Sequence, residues 1–400
     1  MARHTKNDLK QMQSLPLAAK KIMSKQRIKV WFESWKRYEI CGGKKTRFIT
    51  ALEEPTLKEG EYILSEHDGQ VYVAFSGGKD STVLSDLCAQ VCQEYGWKLY
   101  LVFVNTGLEY PEIQKFVNIY AQYLRDKYDI EVDLEILRPK MRFDEIIKVY
   151  GYPIISKEVA KTVSAARRLD SKFGKVCLEK LNGTHTMKDG SISLFNCTKY
   201  KPLLDIDCMI SDQCCYVMKK NPSHDYANKT GRKAITAQMA DESRLRTQQW
   251  LENGCNAFQS HTPVSNPMSF WTKQDILWYI KEESLPTSSV YGDIVFAEDP
   301  EQIRIEDYGI DCGSRDTLCT TGCDRTGCIF CAFGAHLEKG ESRFERLKRT
   351  HPRQYEYCIG GGEYDESGTW KPNKQGLGMG HVFDELNKIY GEGFIRYGKG

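Results

Sequence analysis

No apolar run in the 400-residue chain approaches the roughly twenty residues of a bilayer-spanning helix, so a helical membrane protein is excluded. The first residues, MARHTKNDLK, lack the apolar core of a secretory signal, and a cytoplasmic protein is expected. An excess of charge of one sign is missing too, the formal net charge being +2, which by itself names no partner. The distribution says more. Residues 1–50 hold thirteen Lys or Arg against three Asp or Glu, so the remainder is acidic overall. Such asymmetry points to a basic arm that meets phosphate or another polyanion. Disulfides are not expected in a reducing compartment. The fifteen cysteines, several of them clustered, point instead to metal or thiol chemistry.

A chain of this length exceeds one typical core, which predicts either one large α/β domain with appended segments or two domains. Ile28, Trp31, Phe32, Trp35 and Tyr38 recur at spacings of three and four, with Lys29, Lys36 and Arg37 between them. This pattern predicts one amphipathic helix over 28–38 with a basic outer face. Its aromatic stripe is expected to dock on the main domain. Residues 51–70 are acidic and read as linker and turn. Beyond them strand and helix alternate: Val71–Phe75, Leu99–Val104 and Ile130–Leu137 as strands, Ser81 onward, Ile113–Leu124 and Phe143–Tyr150 as helices. Alternation predicts a doubly wound, mostly parallel sheet with ligands at the carboxyl ends of its strands. Residues 183–197 read as an exposed hairpin turning at Asp189-Gly190.

The stretch that organises the chain is VYVAFSGGKDSTVL, Val71 to Leu84. A strand runs into Ser76-Gly77-Gly78-Lys79-Asp80-Ser81 and a helix follows, so backbone N–H groups and the positive end of the helix dipole meet at the loop. Two glycines allow close approach to an anion, Lys79 adds a positive charge, and Asp80 is placed to hold a magnesium ion against phosphates. The spacing is not that of a Walker loop.

Ser76 to Ser81 resembles the PP-loop of the ATP pyrophosphatases, which cleave ATP between the α and β phosphates. Asn105-Thr106-Gly107-Leu-Glu-Tyr-Pro-Glu112 resembles the motif after the second strand in the phosphoadenosine phosphosulfate reductase branch of that superfamily. The resemblance implies an adenine nucleotide alpha hydrolase-like α/β fold, with ATP and Mg2+ as cofactors and Thr106 and Gly107 lining the nucleotide. It also implies substrate-facing lysines and arginines: Lys157 is a candidate, whereas Lys161, Arg167 and Arg168 read as surface charges. Ala234 to Arg244 resembles the family's strand and following turn, making Arg244 an anion clamp beside Lys79 and Asp80, with Arg246 expected to be solvated.

Cys214-Cys215-Tyr-Val-Met-Lys219 and Pro222 resemble the cluster motif of the iron-sulfur adenylyl-sulfate reductases, with Cys328 and Cys331 as the distant Cys-x-x-Cys and Gly340 to Arg343 following. Four thiolates suit a 4Fe-4S cluster. The local rival is a zinc knuckle drawn from Cys312, Cys319, Cys323, Cys328 and Cys331. His336 and His351 could enter such a site. The chain is expected to divide into a basic helical arm (1–60), a nucleotide-binding domain (61–290) and a cysteine-rich C-terminal segment that completes the iron-sulfur site (291–400).

Assimilatory reductases carry a C-terminal Glu-Cys-Gly-Leu-His type motif, absent here; Cys358 is followed by Ile-Gly-Gly-Gly. Gly78-Lys79-Asp80 is intact, as a pyrophosphate leaving group requires. The leading expectation is an enzyme that adenylates a substrate with ATP and uses a 4Fe-4S cluster in sulfur transfer, onto nucleic acid through the basic arm, with a sulfur or electron donor protein as partner. Two readings stay open beside it. One is reduction of an adenylated sulfate to sulfite, with Cys319, Cys323 or Cys358 as nucleophile. The other is a nucleic-acid-binding component whose nucleotide and cluster sites are sensory.

Overall fold

The structure is a computed structural model that describes residues 4–67, 69–297 and 317–398. The three expected segments are distributed over two compact units. The sheet unit comprises residues 1–105, 110–137 and 223–326, and the thiol unit residues 106–109, 138–222 and 327–400.

The sheet unit is built on six strands in the order Val132–Leu137, Leu99–Val104, Val71–Ala74, Lys233–Ile235, Val264–Ser265 and Asn256–Ala257. All pairs are parallel except the last. Val71–Ala74 is central and apolar at nearly every position, as a strand covered on both faces must be. Helices Lys79–Tyr95 and Pro111–Tyr128 connect the strands, each ending on a left-handed residue, Gly96 and Asp129. This α/β architecture with a mostly parallel sheet is the fold class that the strand and helix alternation predicts.

The predicted helix over 28–38 is displaced. The helix runs Leu17–Ser34, and Lys36–Gly42 is a strand, the centre of a three-stranded antiparallel sheet with Lys45–Ala51 and Glu61–His67. Burial switches at Trp35 from helical spacing (Ile28, Trp31, Phe32) to alternation (Tyr38, Ile40), and the aromatics at 35 and 38 satisfy both periods. The third strand falls in the predicted linker, where exposed Tyr62 and Leu64 obscure the alternation. The aromatic stripe joins the same core as Val71, Leu84 and Phe103. Much of the arm's charge is taken up inside this unit. Lys20 is buried against Asp275 at 2.6 Å, Lys21 pairs with Glu282 and Glu283, Lys36 with Glu66 and Arg47 with Glu61.

Helix Lys79–Tyr95 carries a buried carboxylate, Asp86, which accepts hydrogen bonds from Tyr279 Oη at 2.7 Å, Tyr128 Oη at 2.8 Å and Gln90 Nε2 at 3.0 Å and pairs with Lys127 at 3.2 Å. Asp86→Ala would strand two buried hydroxyls and a lysine; we expect a loss of about 3–5 kcal/mol in urea unfolding. Asp86→Asn, which keeps the acceptor oxygen, should lose less.

In the thiol unit, residues 152–155 act as a template. Tyr152 bridges Ile210 in parallel, and Ile154–Ile155 pair in parallel with Ala332–Phe333. Cys214 and Cys331 lie just beyond these pairings, so one short segment gathers two stretches more than a hundred residues apart in sequence. Ile155 has φ +64°, a region that β-branched residues almost never adopt. Around this template pack helices Lys157–Ala166 and Lys172–Asn182, each capped by a serine, Ser156 and Ser171. Residues 183–197 form the predicted hairpin, Thr186 bridging Ile192 and Gly190 adopting φ +84° at the turn. Helices Arg343–Thr350, Pro352–Ile359 and Met379–Tyr390 complete the unit.

Candidate functional site

The phosphate loop leaves the central strand of the sheet unit after Phe75, whose N–H still bonds Val102 O at 2.9 Å. Two serines tie the loop to the helix it opens. Ser81 Oγ accepts from Ser76 N at 3.1 Å, lies 3.0 Å from Ser76 Oγ and donates to Gly78 O at 2.9 Å. Gly77 has φ +70°, and a Cβ there would stand 2.9 Å from Ile113 Cγ2. Gly77→Ala therefore combines backbone strain with a clash against a packed helix. We expect it to lower stability by about 2–4 kcal/mol in urea unfolding.

Lys79, the first residue of the helix, is buried. Its ammonium donates to Asp324 O at 2.6 Å, lies 3.8 Å from Asp324 Oδ1 and sits 4.9 Å over the Tyr291 ring. Its N–H donates to Tyr291 Oη at 3.3 Å, and that hydroxyl is 2.5 Å from Thr326 Oγ1. Burial lowers the lysine pKa, against the attraction of Asp324 and Asp80. Burial also raises the pKa of Asp80, despite Lys79, Arg325 and Arg246 nearby. A half-buried carboxylate under-compensated in this way fits a divalent cation, and magnesium takes only one or two carboxylates with phosphates and water. Ser76, Gly78, Lys79, Asp80 and Ser81 open on a cavity of about 320 Å³, within the size range of small-molecule sites. Gly77 turns away from that cavity toward Ile113 and Val117.

Several residues of this cavity carry no signal in the sequence pattern. Tyr291, Asp324, Arg325 and Thr326 close one side, Lys273 pairs with Asp324 at 2.5 Å, and Glu242 accepts from Arg325 at 2.7 Å. Arg244 is exposed at the start of helix Arg244–Asn253 and is not among the lining residues. The arginines that feel Asp80 are Arg325 and Arg246, the latter half-buried and paired with Glu242. Its expected solvation is the reading to revise, because two residues on, roughly half a turn of helix, position 246 faces inward from the exposed position 244.

The thiol unit holds Thr106 and Gly107. Thr106 Oγ1 donates to Glu109 Oε1 at 2.7 Å, and its N–H donates to Glu109 Oε2 at 3.0 Å. Glu109 lies 3.8 Å from Lys219. Lys219 is attracted in turn by Cys328, and together these anions raise its pKa against the opposing effect of burial.

Cys214, Cys215, Cys328 and Cys331 share one electrostatic environment. Cys214 donates a hydrogen bond to Cys215 and feels the charges of Cys331 and Cys328. That bond, with help from Lys157 and Lys219, pulls Cys215 down to about 6, while Cys214 is pushed up as the proton holder of the pair. Burial pushes Cys328 up to about 11 and raises Cys331. Arg343 anchors the loop by donating to Cys331 O at 2.9 Å.

Among the described residues no three His, Cys, Asp or Glu side chains stand where they could hold a single metal ion. Four thiols are the donor number that a 4Fe-4S centre would take. For the zinc knuckle, Cys312 lies outside the described residues, while Cys319 and Cys323 belong to the sheet unit and Cys328 and Cys331 to the thiol unit. His336 stacks on Phe394, and His351 meets Thr350 Oγ1. Cys358 is fully buried, its pKa raised by burial and its Sγ donating to Met379 Sδ at 3.6 Å, an environment that suppresses nucleophilicity.

Comparison with known proteins gives two findings. A model of the phosphoadenosine phosphosulfate reductase domain matches residues 70–172 and 157–332. A tRNA(Ile)-lysidine synthase of Thermosipho africanus (strain TCF52B) is 32% identical over 137 residues, which is 34% of this chain and 28% of that protein's length. No helix among the described residues is long and apolar enough to cross a membrane.

Proposed function

Because the chain belongs to the phosphoadenosine phosphosulfate reductase domain family, we propose that it is an ATP pyrophosphatase that adenylates an acceptor and transfers sulfur to it. The observation that carries this reading is Lys79, a buried ammonium at a helix N-terminus beside a glycine loop and a cavity of about 320 Å³. An acceptor oxygen attacks the α-phosphorus of ATP, the bond to the β-phosphate oxygen breaks, and pyrophosphate leaves with its electron pair. Lys79 and the loop N–H groups neutralise that departing charge, and Lys273, Arg325 and Arg246 add positive potential nearby. Asp80 would hold magnesium against the phosphates. A sulfur nucleophile then displaces AMP from the acceptor.

Cys214, Cys215, Cys328 and Cys331 would hold the 4Fe-4S centre, which would supply an iron site for sulfur or electrons. Lys157 and Lys219 favour the thiolate at Cys215, and Arg343 opposes the burial that raises Cys331. A nucleic acid is the acceptor class we favour, supported by the relative named for a tRNA. Reduction of an adenylated sulfate would need a free nucleophilic thiol, and the burial of Cys358 argues against that residue in the role.

The deciding experiment is anaerobic purification with iron and sulfide analysis and a pyrophosphate assay. Pyrophosphate formed from ATP supports adenylation. Sulfite formed from an adenylated sulfate without ATP would overturn it, and nucleic-acid binding with no turnover would leave only a sensory role.

A further inference from the structure

Residues 157–201 of the thiol unit hold ten Lys or Arg against four Asp or Glu. In the N-terminal arm Lys20, Lys21, Lys36 and Arg47 are spent on carboxylate partners; here the charge stays outside. Lys161, Arg168, Lys172, Lys175, Lys188 and Lys199 are all exposed. Among the described residues the ion pair formed within this stretch is His185–Glu179. The same stretch exposes large apolar groups. Leu194 is 98% exposed, Ile192 74% and Phe195 58%, all on the hairpin, with Phe173 at 49% on the neighbouring helix. Two lysines lie over these rings, Lys161 at 5.3 Å from Phe173 and Lys180 at 5.6 Å from Phe195.

We propose that helices Lys157–Ala166 and Lys172–Asn182 with the 183–197 hairpin form a nucleic-acid contact surface, lysines on the phosphates and hairpin apolar groups against bases. Phosphate neutralisation needs several exposed cations without carboxylate partners, which this stretch provides among the described residues. Apolar side chains at the tip of a basic hairpin suit insertion between base steps or stacking on unpaired bases. Ring-capping lysines remain positioned to follow a backbone that passes over the aromatics. The hairpin is held at its base, where Asn196 Nδ2 donates to Gly183 O and His185 O, so its tip presents these groups from a fixed root. The inference rests on the proposed nucleic-acid acceptor and assigns its contact to the thiol unit instead of the N-terminal arm.

The test is fluorescence anisotropy with a labelled short duplex DNA and a single-stranded RNA of equal length, between about 50 and 200 mM salt. The variants are Lys172→Glu with Lys188→Glu, Leu194→Ser, and Lys44→Glu with Lys45→Glu in the exposed part of the arm. The first should weaken binding at least about tenfold and lower the salt slope by about 0.9 per lost contact on duplex, or about 0.7 on single strand. Leu194→Ser should weaken binding with the salt slope unchanged, and the arm variant should bind within about twofold of wild type. Which probe binds more tightly tells duplex from single strand. The proposal is overturned if neither probe binds, as expected if an acidic protein is the occupant, or if the arm variant rather than the hairpin variants loses affinity. Pyrophosphate release from ATP is read separately. Release without nucleic-acid binding sinks the surface alone; hairpin-dependent binding without release sinks the adenylation reading alone.

Discussion

Lys79→Ala should reduce ATP-dependent pyrophosphate release by at least about 10²–10³-fold, the usual effect of removing a preorganised charge from a developing oxyanion. Lys79 spends its folded life desolvated, with a backbone carbonyl, an aromatic face and a carboxylate 3.8 Å away as company. Burial works against its charge, so deleting the ammonium removes a desolvation cost along with the contacts it makes. The expected outcome is thus a folded protein with normal iron content and no turnover, read by a pyrophosphate assay beside circular dichroism and iron analysis. Turnover within about threefold of wild type would show that this loop does not hold the leaving group. Asp80→Asn should shift the magnesium requirement upward while sparing nucleotide binding, because it removes a negative ligand and keeps the shape.

The second large effect is expected on metal content. Cys215→Ser should take iron from about four atoms per chain to near zero after anaerobic purification, since a cubane rarely survives the loss of a thiolate corner. Cys215 is the thiol most inclined to ionise, drawn down to about 6 by Cys214 and two lysines. Cys328→Ser should behave alike. Cys319→Ser, in the sheet unit, should keep its iron, and so should Cys358→Ser, whose fully buried sulfur packs against Met379. Full iron in Cys215→Ser, or iron lost in Cys319→Ser, would reassign the ligand set.

The strand-loop-helix of residues 71–95 was legible because its signals are local: an apolar run, two glycines and a helical repeat in direct succession. The gathering of Cys214, Cys215, Cys328 and Cys331 came from resemblance, and the pairing that accomplishes it, Tyr152 with Ile210 and Ile154 with Ala332, leaves no periodic trace in so short a strand. Tyr291, Asp324 and Thr326 stayed hidden for another reason. A hydroxyl on a helix N-terminus and a carbonyl on a lysine are tertiary facts, and nothing near those residues in sequence marks them. The boundary at Trp35 was ambiguous because aromatics at 31, 32, 35 and 38 suit a helix and a strand alike. The basic arm illustrates a limit of charge counting. Its lysines were visible, but not that Asp275, Glu282, Glu283, Glu66 and Glu61 would answer them.

The backbone changes unit after residues 105, 109, 137, 222 and 326. No single cut can therefore release either unit whole, and a truncated clone ending anywhere between 106 and 326 leaves fragments of both. Swapping the thiol-bearing half between homologous genes by one crossover would fail for the same reason. The nucleotide loop and the cysteines therefore cannot be exchanged as modules by a single crossover.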